Sequence, residues 1–230
     1  MFFDIMMIEV CCPDIPSVQR AIEGGADRIE LCRALELDGL TPTREDIRTA
    51  VDMCHRAGVK VHVLIRSREG DFVYTAPEEA RRMSDEITMA LDEGADGVVL
   101  GALTPDGDID TALCSTWIGV ARRHPRVESG ELRDLGITFH RAFDVCRSPM
   151  DAVEDIIRLG CNRLLTSGHA PSAVDGIPLL ARLVQATEGR LVILAGAGVS
   201  ASNYHRIMDE AGVCEVHGSF RGGIPRRDKA

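Results

Sequence analysis

Lysine is nearly missing from this chain. Only Lys60 and Lys229 occur, so almost all of the 26 basic residues are arginines. Basic runs longer than a pair such as Arg226-Arg227 are missing too, and the formal charge is −10. A nucleic-acid partner is therefore not expected. No apolar run approaches the roughly 18 residues of a membrane span, so no membrane partner is expected either. Met1-Phe-Phe-Asp-Ile-Met has neither a charged leading region nor a cleavage site, unlike a secretory signal. No CxxC occurs, and no cysteine spacing reads as structural zinc. The eight cysteines are scattered through a chain long enough to bury its own core, which predicts reduced thiols in a cytoplasmic protein. No Pro- or Ser-rich linker and no low-complexity tract interrupts residues 1–230, so one domain is expected. Nothing in the chain implies an organic cofactor.

What is present is a repeated phrase. Seven times a helical stretch leads to a glycine and then to an apolar run that ends in polar residues. The glycines are Gly25, Gly58, Gly94, Gly136, Gly160, Gly189 and Gly212, each read as a helix C-cap. The following runs, among them Asp27-Arg-Ile-Glu-Leu-Cys32 and Lys60-Val-His-Val-Leu-Ile-Arg66, read as buried strands. An eighth run, Met7-Ile-Glu-Val-Cys11, has no helix before it. Eight strands alternating with helices predict a single (β/α)8 TIM barrel. Helices are expected from Asp14 or Pro16, after Thr43, from Pro77, over 110–123, after Pro149, over about 172–187, and from Ser200 or Ser202. Residues 124–135 read as a surface loop on the opposite rim. Only Gly218 to Ala230 follows the last strand, a poor candidate for a regular eighth helix.

Residues two apart on a strand share a face. That alternation points Glu9 and Cys11, then Arg28, Glu30 and Cys32, into the barrel. His62 with Arg66, Thr138 with His140, and Glu215 with His217 complete the inward set. Buried charges are costly unless they pair or serve a ligand, so salt bridges plugging the barrel compete with a functional pocket. The loop Arg66-Ser-Arg-Glu-Gly-Asp-Phe-Val-Tyr74 could cover the mouth, and arginine suits a planar anion. His140 at a strand end could act as acid or base, with Asp144 orienting it or binding a cation. Ser167-Gly168 and the Gly196/Gly198 turn could offer backbone amides to an anion. Cys11 and Cys32 end neighbouring strands, where two thiolates could hold Cu(I) linearly. The same two residues could equally be small buried hydrophobes.

Glu9-Val-Cys11, Gly25-Ala-Asp-Arg-Ile-Glu-Leu-Cys32, Gly39-Leu-Thr-Pro42 and Ile65-Arg-Ser-Arg-Glu-Gly-Asp-Phe-Val-Tyr74 occur in order. Thr138-Phe-His-Arg-Ala-Phe-Asp144, Leu165-Thr-Ser-Gly168, Ala195-Gly-Ala-Gly-Val199 and Glu215-Val-His217 follow. Together they resemble the CutC family of copper homeostasis proteins, from about Met7 to Ser219. The resemblance implies a cytoplasmic, often dimeric TIM barrel tied to copper tolerance and Cu(I) binding. It implies Cys11 and Cys32 as copper ligands. It implies Glu9, Arg28, Glu30, Arg66, Asp71, His140, Arg141, Asp144 and His217 as the polar mouth. The chain departs from the family at Ser67-Arg-Glu, where Pro-Arg-Gly is commoner, at the middle of His217-Gly-Ser, and after Ser219.

Two functional readings follow. In the first, a homodimeric copper protein binds Cu(I) through Cys11 and Cys32. In the second, an enzyme holds a small anionic or phosphorylated substrate with Arg66, Ser167, Gly168, Gly196 and Gly198. His140, with Glu30 or Glu9, would then move a proton. Lys60 begins its strand at the far rim, which argues against a lysine-dependent aldolase. A third possibility is an inert binding barrel.

Overall fold

Residues 6–225 are described by a computed structural model of the chain. Strands β1 (Met7–Cys12), β2 (Arg28–Leu31), β3 (Lys60–Leu64) and β4 (Gly97–Leu100) lead the chain's first half. Strands β5 (Gly136–Phe139), β6 (Arg163–Thr166), β7 (Val192–Ala195) and β8 (Glu215–Gly218) follow. All pairings are parallel, each strand with the next and β8 with β1, so the sheet closes into a barrel. Helices α1 (Ile15–Gly24), α2 (Arg44–Arg56), α3 (Pro77–Asp92) and α4 (Thr111–Arg122) return the chain after β1 to β4. A single turn, α5 (Pro125–Glu128), precedes β5, and α6 (Pro149–Leu159), α7 (Ile177–Thr187) and α8 (Tyr204–Ala211) complete the set. Residues 219–225 form no helix.

The helix boundaries have local causes. Asp14 caps α1 by accepting the Ser17 amide at 2.7 Å, and the Ser17 hydroxyl accepts the Asp14 amide in return. Thr43 caps α2 and Asp110 caps α4 by accepting the amides of Asp46 and Leu113. Gly25 and Gly160 end α1 and α6 with φ of 80° and 74°, a backbone that side-chain-bearing residues resist.

Three local expectations change. Gly136 is the first residue of β5 and caps no helix; its role is clearance, described below. Helix α7 begins at Ile177, five residues later than the pattern indicated, with Pro178 in its first turn, where a missing N–H costs nothing. Helix α8 begins at Tyr204 because Ser200 to Asn203 form a turn, with the Asn203 side chain accepting the Ser200 amide at 2.8 Å. The surface segment before β5 also carries the α5 turn, capped by a buried His124 that reaches Asp92 at 3.1 Å.

Outward strand residues such as Ile8, Ile29, Val63, Val98, Phe139 and Ile193 meet the helices in one large apolar core. The barrel interior differs. Its apolar content is a small separate cluster of Cys11, Cys32, Leu64 and Val99. Leu165 and Leu194 add apolar surface on β6 and β7, but most other inward positions are charged, polar or glycine, where branched apolar residues usually fill such a barrel. The wall is therefore stabilised from outside, and the interior is left to polar chemistry.

Candidate functional site

The inward residues of β8, β1 and β2 form one connected charge network. Register sets Glu9 beside Arg28 on one side and beside His217 on the other. Arg28 is fully buried. Its Nε–H donates to Glu9, and its Nη2 donates to Glu215 at 2.6 Å. Arg163 from β6 donates to the same Glu215 oxygen at 2.7 Å. The other Glu9 oxygen meets His217 Nδ1 at 2.7 Å. Burial penalises the Glu9 charge, but Arg28 and His217 outweigh it and hold this carboxyl well below its usual range. For His217 burial again opposes charge, yet Glu30, Cys11 and Glu9 together raise it well above an ordinary imidazole. Glu30 lies 3.6 Å from His217 Nε2. Burial pushes its carboxyl up to about 7 against the pull of His217.

Above this floor the two thiols meet. Cys11 and Cys32 are buried with sulfurs 3.8 Å apart. The Cys11 thiol is pushed far above its usual range by its contact with Cys32 and then by burial. Ligand atoms of Cys11, Glu30 and His217 all lie within 4.8 Å of one another, a group able to hold a metal ion. The remaining cysteines on strands and helices behave otherwise: Cys12, Cys54, Cys114 and Cys161 sit in the outer apolar core.

The opposite wall, from β3 to β5, carries neutral rings. His62 is buried with Nδ1 lacking a partner, and burial with the nearby Arg28 pushes it down to about 3. Room for its ring comes from glycine. A Cβ at Gly136 would stand 2.3 Å from His62 Nε2, and one at Gly97 would stand 2.7 Å away. His140 directly follows β5, with its ring 4.9 Å from Phe72 and 5.9 Å from Phe139. A Cβ at Gly101 would approach the His140 ring to 2.8 Å. Burial, and then Arg66, push His140 down to about 3.

A cavity of about 520 Å³ opens at the C-terminal ends of the strands. Cys11, Glu30, Cys32 and His217 line one side, and Arg66, Phe72 and His140 the other. Arg141, Asp144 and Gly198 also border it. Arg66 is deeply held: its Nη atoms donate to the carbonyls of Leu37, Gly39 and Gly70 at 2.7 to 2.9 Å. Only its Nε lacks a partner. The amides of the β6 loop are also engaged, because Asp144 takes the Ser167 N–H at 3.0 Å and the His169 N–H at 3.3 Å. Arg141 pairs with the same Asp144 at 2.8 Å. The Gly168 and Gly196 amides donate to Thr166 at 2.9 Å. Asp71 is brought elsewhere. It is exposed, pairs with Arg68 at 3.1 Å and does not line the cavity. Tyr74 packs edge-on against Trp117, whereas Phe72 faces the cavity.

Sequence reasoning passed over Arg163 and the glycines that seat the imidazoles. The signal was present: Gly97, Val99 and Gly101 share the inward face of β4. A hollow of about 620 Å³ at the opposite rim includes Arg28 and Arg163, whose charges Glu215 already answers.

Comparison with known proteins agrees on the family. The model of the CutC family matches residues 6–222. A family protein CutC of Pasteurella multocida (strain Pm70) is 44% identical over 94% of this chain and 83% of the relative. One of Vibrio parahaemolyticus is 47% identical, with 91% and 80% covered. A structure from Streptococcus agalactiae that bears the name copper homeostasis protein CutC superposes with a TM-score of 0.85 at 30% identity. It covers 94% of this chain and 99% of that one. A chain whose family match spans nearly its whole barrel, and whose fold superposes so closely on a relative's, belongs to the CutC family.

Proposed function

We propose that this chain binds Cu(I) as cargo between Cys11 and Cys32, in keeping with the copper homeostasis name that its structural relative carries. The observation behind this reading is the pair of buried sulfurs 3.8 Å apart on neighbouring strands. Thiolates suit a soft monovalent ion, and two of them can hold it in nearly linear geometry after a small separation of the sulfurs. His217 and Glu30 stand next to Cys11 as further donors. Binding must displace thiol protons, so affinity rises with pH. Reduced thiols accord with the cytoplasm, the compartment proposed for it, and a homodimer is the assembly expected. The deciding measurement is a competitive Cu(I) titration of reduced protein beside the Cys11→Ser/Cys32→Ser variant. Tight one-to-one binding that the variant loses is expected. Equal affinity in both proteins would sink the assignment.

A second reading draws on the size of the cavity, about 520 Å³ for an ion that needs a small fraction of it. A small anionic substrate would fill this space, with Glu30 and His217, 3.6 Å apart, exchanging a proton with it. Turnover of a small carboxylate or phosphorylated compound that Glu30→Gln abolishes would establish this activity. Turnover unchanged in that variant would remove Glu30 from it.

A further inference from the structure

Where the wall facing the thiols lines the cavity, Arg66 and His140 each present an unpartnered nitrogen. The Ala142 amide donates to His140 Nδ1 at 3.2 Å, which makes that nitrogen an acceptor. The ring proton therefore resides on Nε2. A second proton on Nδ1 would point into the Ala142 N–H, so the backbone itself keeps the ring neutral. Nε2 is buried and has no partner, and His140 lines the cavity. Arg66 Nε is likewise buried without a partner in the same wall, with Phe72 beside both groups. Buried N–H groups left unpaired cost free energy. Neither donor has a lone pair to offer, so a copper ion cannot satisfy them; an oxygen acceptor can.

The charge balance narrows the acceptor. Glu30 faces His217, and Arg141 is answered by Asp144. Arg66 bonds only to carbonyls and has no carboxylate partner among the described residues. Asp38, at the solvent-exposed rim, is the cavity's remaining acid. One buried positive charge beside one neutral donor suits a single negative charge better than a phosphate dianion. Two N–H donors also match the two oxygens of a carboxylate, or the carboxylate and carbonyl oxygens of a 2-oxo acid.

We propose that Arg66 Nε–H and His140 Nε2–H form a subsite for a small monocarboxylate, which His140 serves as a hydrogen-bond donor that keeps its proton. This assignment removes His140 from the role of proton carrier and leaves any acid–base work to the wall across the cavity. The ligand class rests on the small-anion reading, but the subsite is tested by binding. Binding without turnover therefore keeps the subsite while ending the enzymatic reading.

The experiment titrates acetate, pyruvate and inorganic phosphate into the reduced full chain, followed through the imidazole N–H resonances. His140 is expected as the Nε2–H tautomer, with that resonance shifting on addition of acetate or pyruvate. Phosphate is expected to bind more weakly. His140→Gln places an amide N–H near the Nε2 position and is expected to retain binding. His140→Leu is expected to lose about tenfold, the worth of one hydrogen bond to a charged acceptor. Cys11→Ser/Cys32→Ser is expected to bind as the parent does, which separates this subsite from copper. An Nδ1–H tautomer, no shift with any probe, phosphate binding more tightly than either carboxylate, or undiminished binding by a folded His140→Leu would each overturn the proposal. If His140→Leu does not fold, the tautomer and the shift in the parent protein decide alone.

Discussion

The two halves of the barrel interior solve the same problem in opposite ways. Strands β8, β1 and β2 send in Glu215, His217, Glu9, Arg28 and Glu30, and these charges answer one another. Strands β3, β4 and β5 send in His62, Thr138 and His140 beside Gly97, Gly101 and Gly136. On that side the rings are neutral, and His62 Nδ1, Thr138 Oγ1 and His140 Nε2 have no partner. The first half tolerates burial through pairing. The second tolerates it by staying uncharged and leaving a few groups open. The unpartnered groups that a ligand could satisfy lie in the second half.

The largest test strikes the paired half. Glu215→Gln removes the carboxylate shared by Arg28 and Arg163 and leaves Arg28 with Glu9 alone. Urea unfolding is expected to show a loss of about 3–5 kcal/mol, the usual cost of stranding a buried partner. A loss below about 1 kcal/mol would mean that the network is not a unit. The next test strikes the glycine half. Gly136→Ala sets a methyl 2.3 Å from the His62 ring and is expected to cost about 1–3 kcal/mol. Adding His62→Ala is expected to restore much of that loss, because the clash needs both partners. Simple additivity of the two changes would refute the steric account.

The smallest effect is a slope. His62 and His140 take protons only near pH 3 in the fold, whereas ordinary imidazoles take them near 6.5. The unfolded chain therefore binds more protons between those values, and stability falls as pH drops through that window. Each ring contributes up to about 1.4 kcal/mol per pH unit. Glu30 opposes them between its ordinary 4.5 and about 7, because there the fold holds a proton that the unfolded chain releases. The His140→Gln variant, unfolded with urea at pH 6 and at pH 5, is expected to lose about one ring's share of the slope. An unchanged slope would show that His140 titrates normally.

Much of the architecture was legible because it depends on local chemistry. Asp14, Thr43 and Asp110 cap helices from within three residues, and strand alternation alone turned Glu9, Arg28, Glu30 and His217 inward. What escaped depends on neighbours across the barrel. Asp144 fills the Ser167 and His169 amides, a fact set by the approach of the β5 and β6 loops. Arg66 looked like an anion clamp by type, yet carbonyls 27 and 29 residues away in sequence occupy most of its guanidinium. Gly136 stood before an apolar run like the other six glycines of the repeated phrase and so resembled a cap, whereas its reason is a ring that arrives from β3.

That clearance constrains how the chain can vary. The positions at 62, 97 and 136 behave as one unit of inheritance, since a side chain at either glycine leaves no room for the imidazole. A lineage that enlarges one of them must shrink the ring in the same step or pass through an unstable intermediate. Genetic drift at this spot should therefore proceed by paired exchange, and a screen of random double substitutions should recover the combinations that single substitutions forbid.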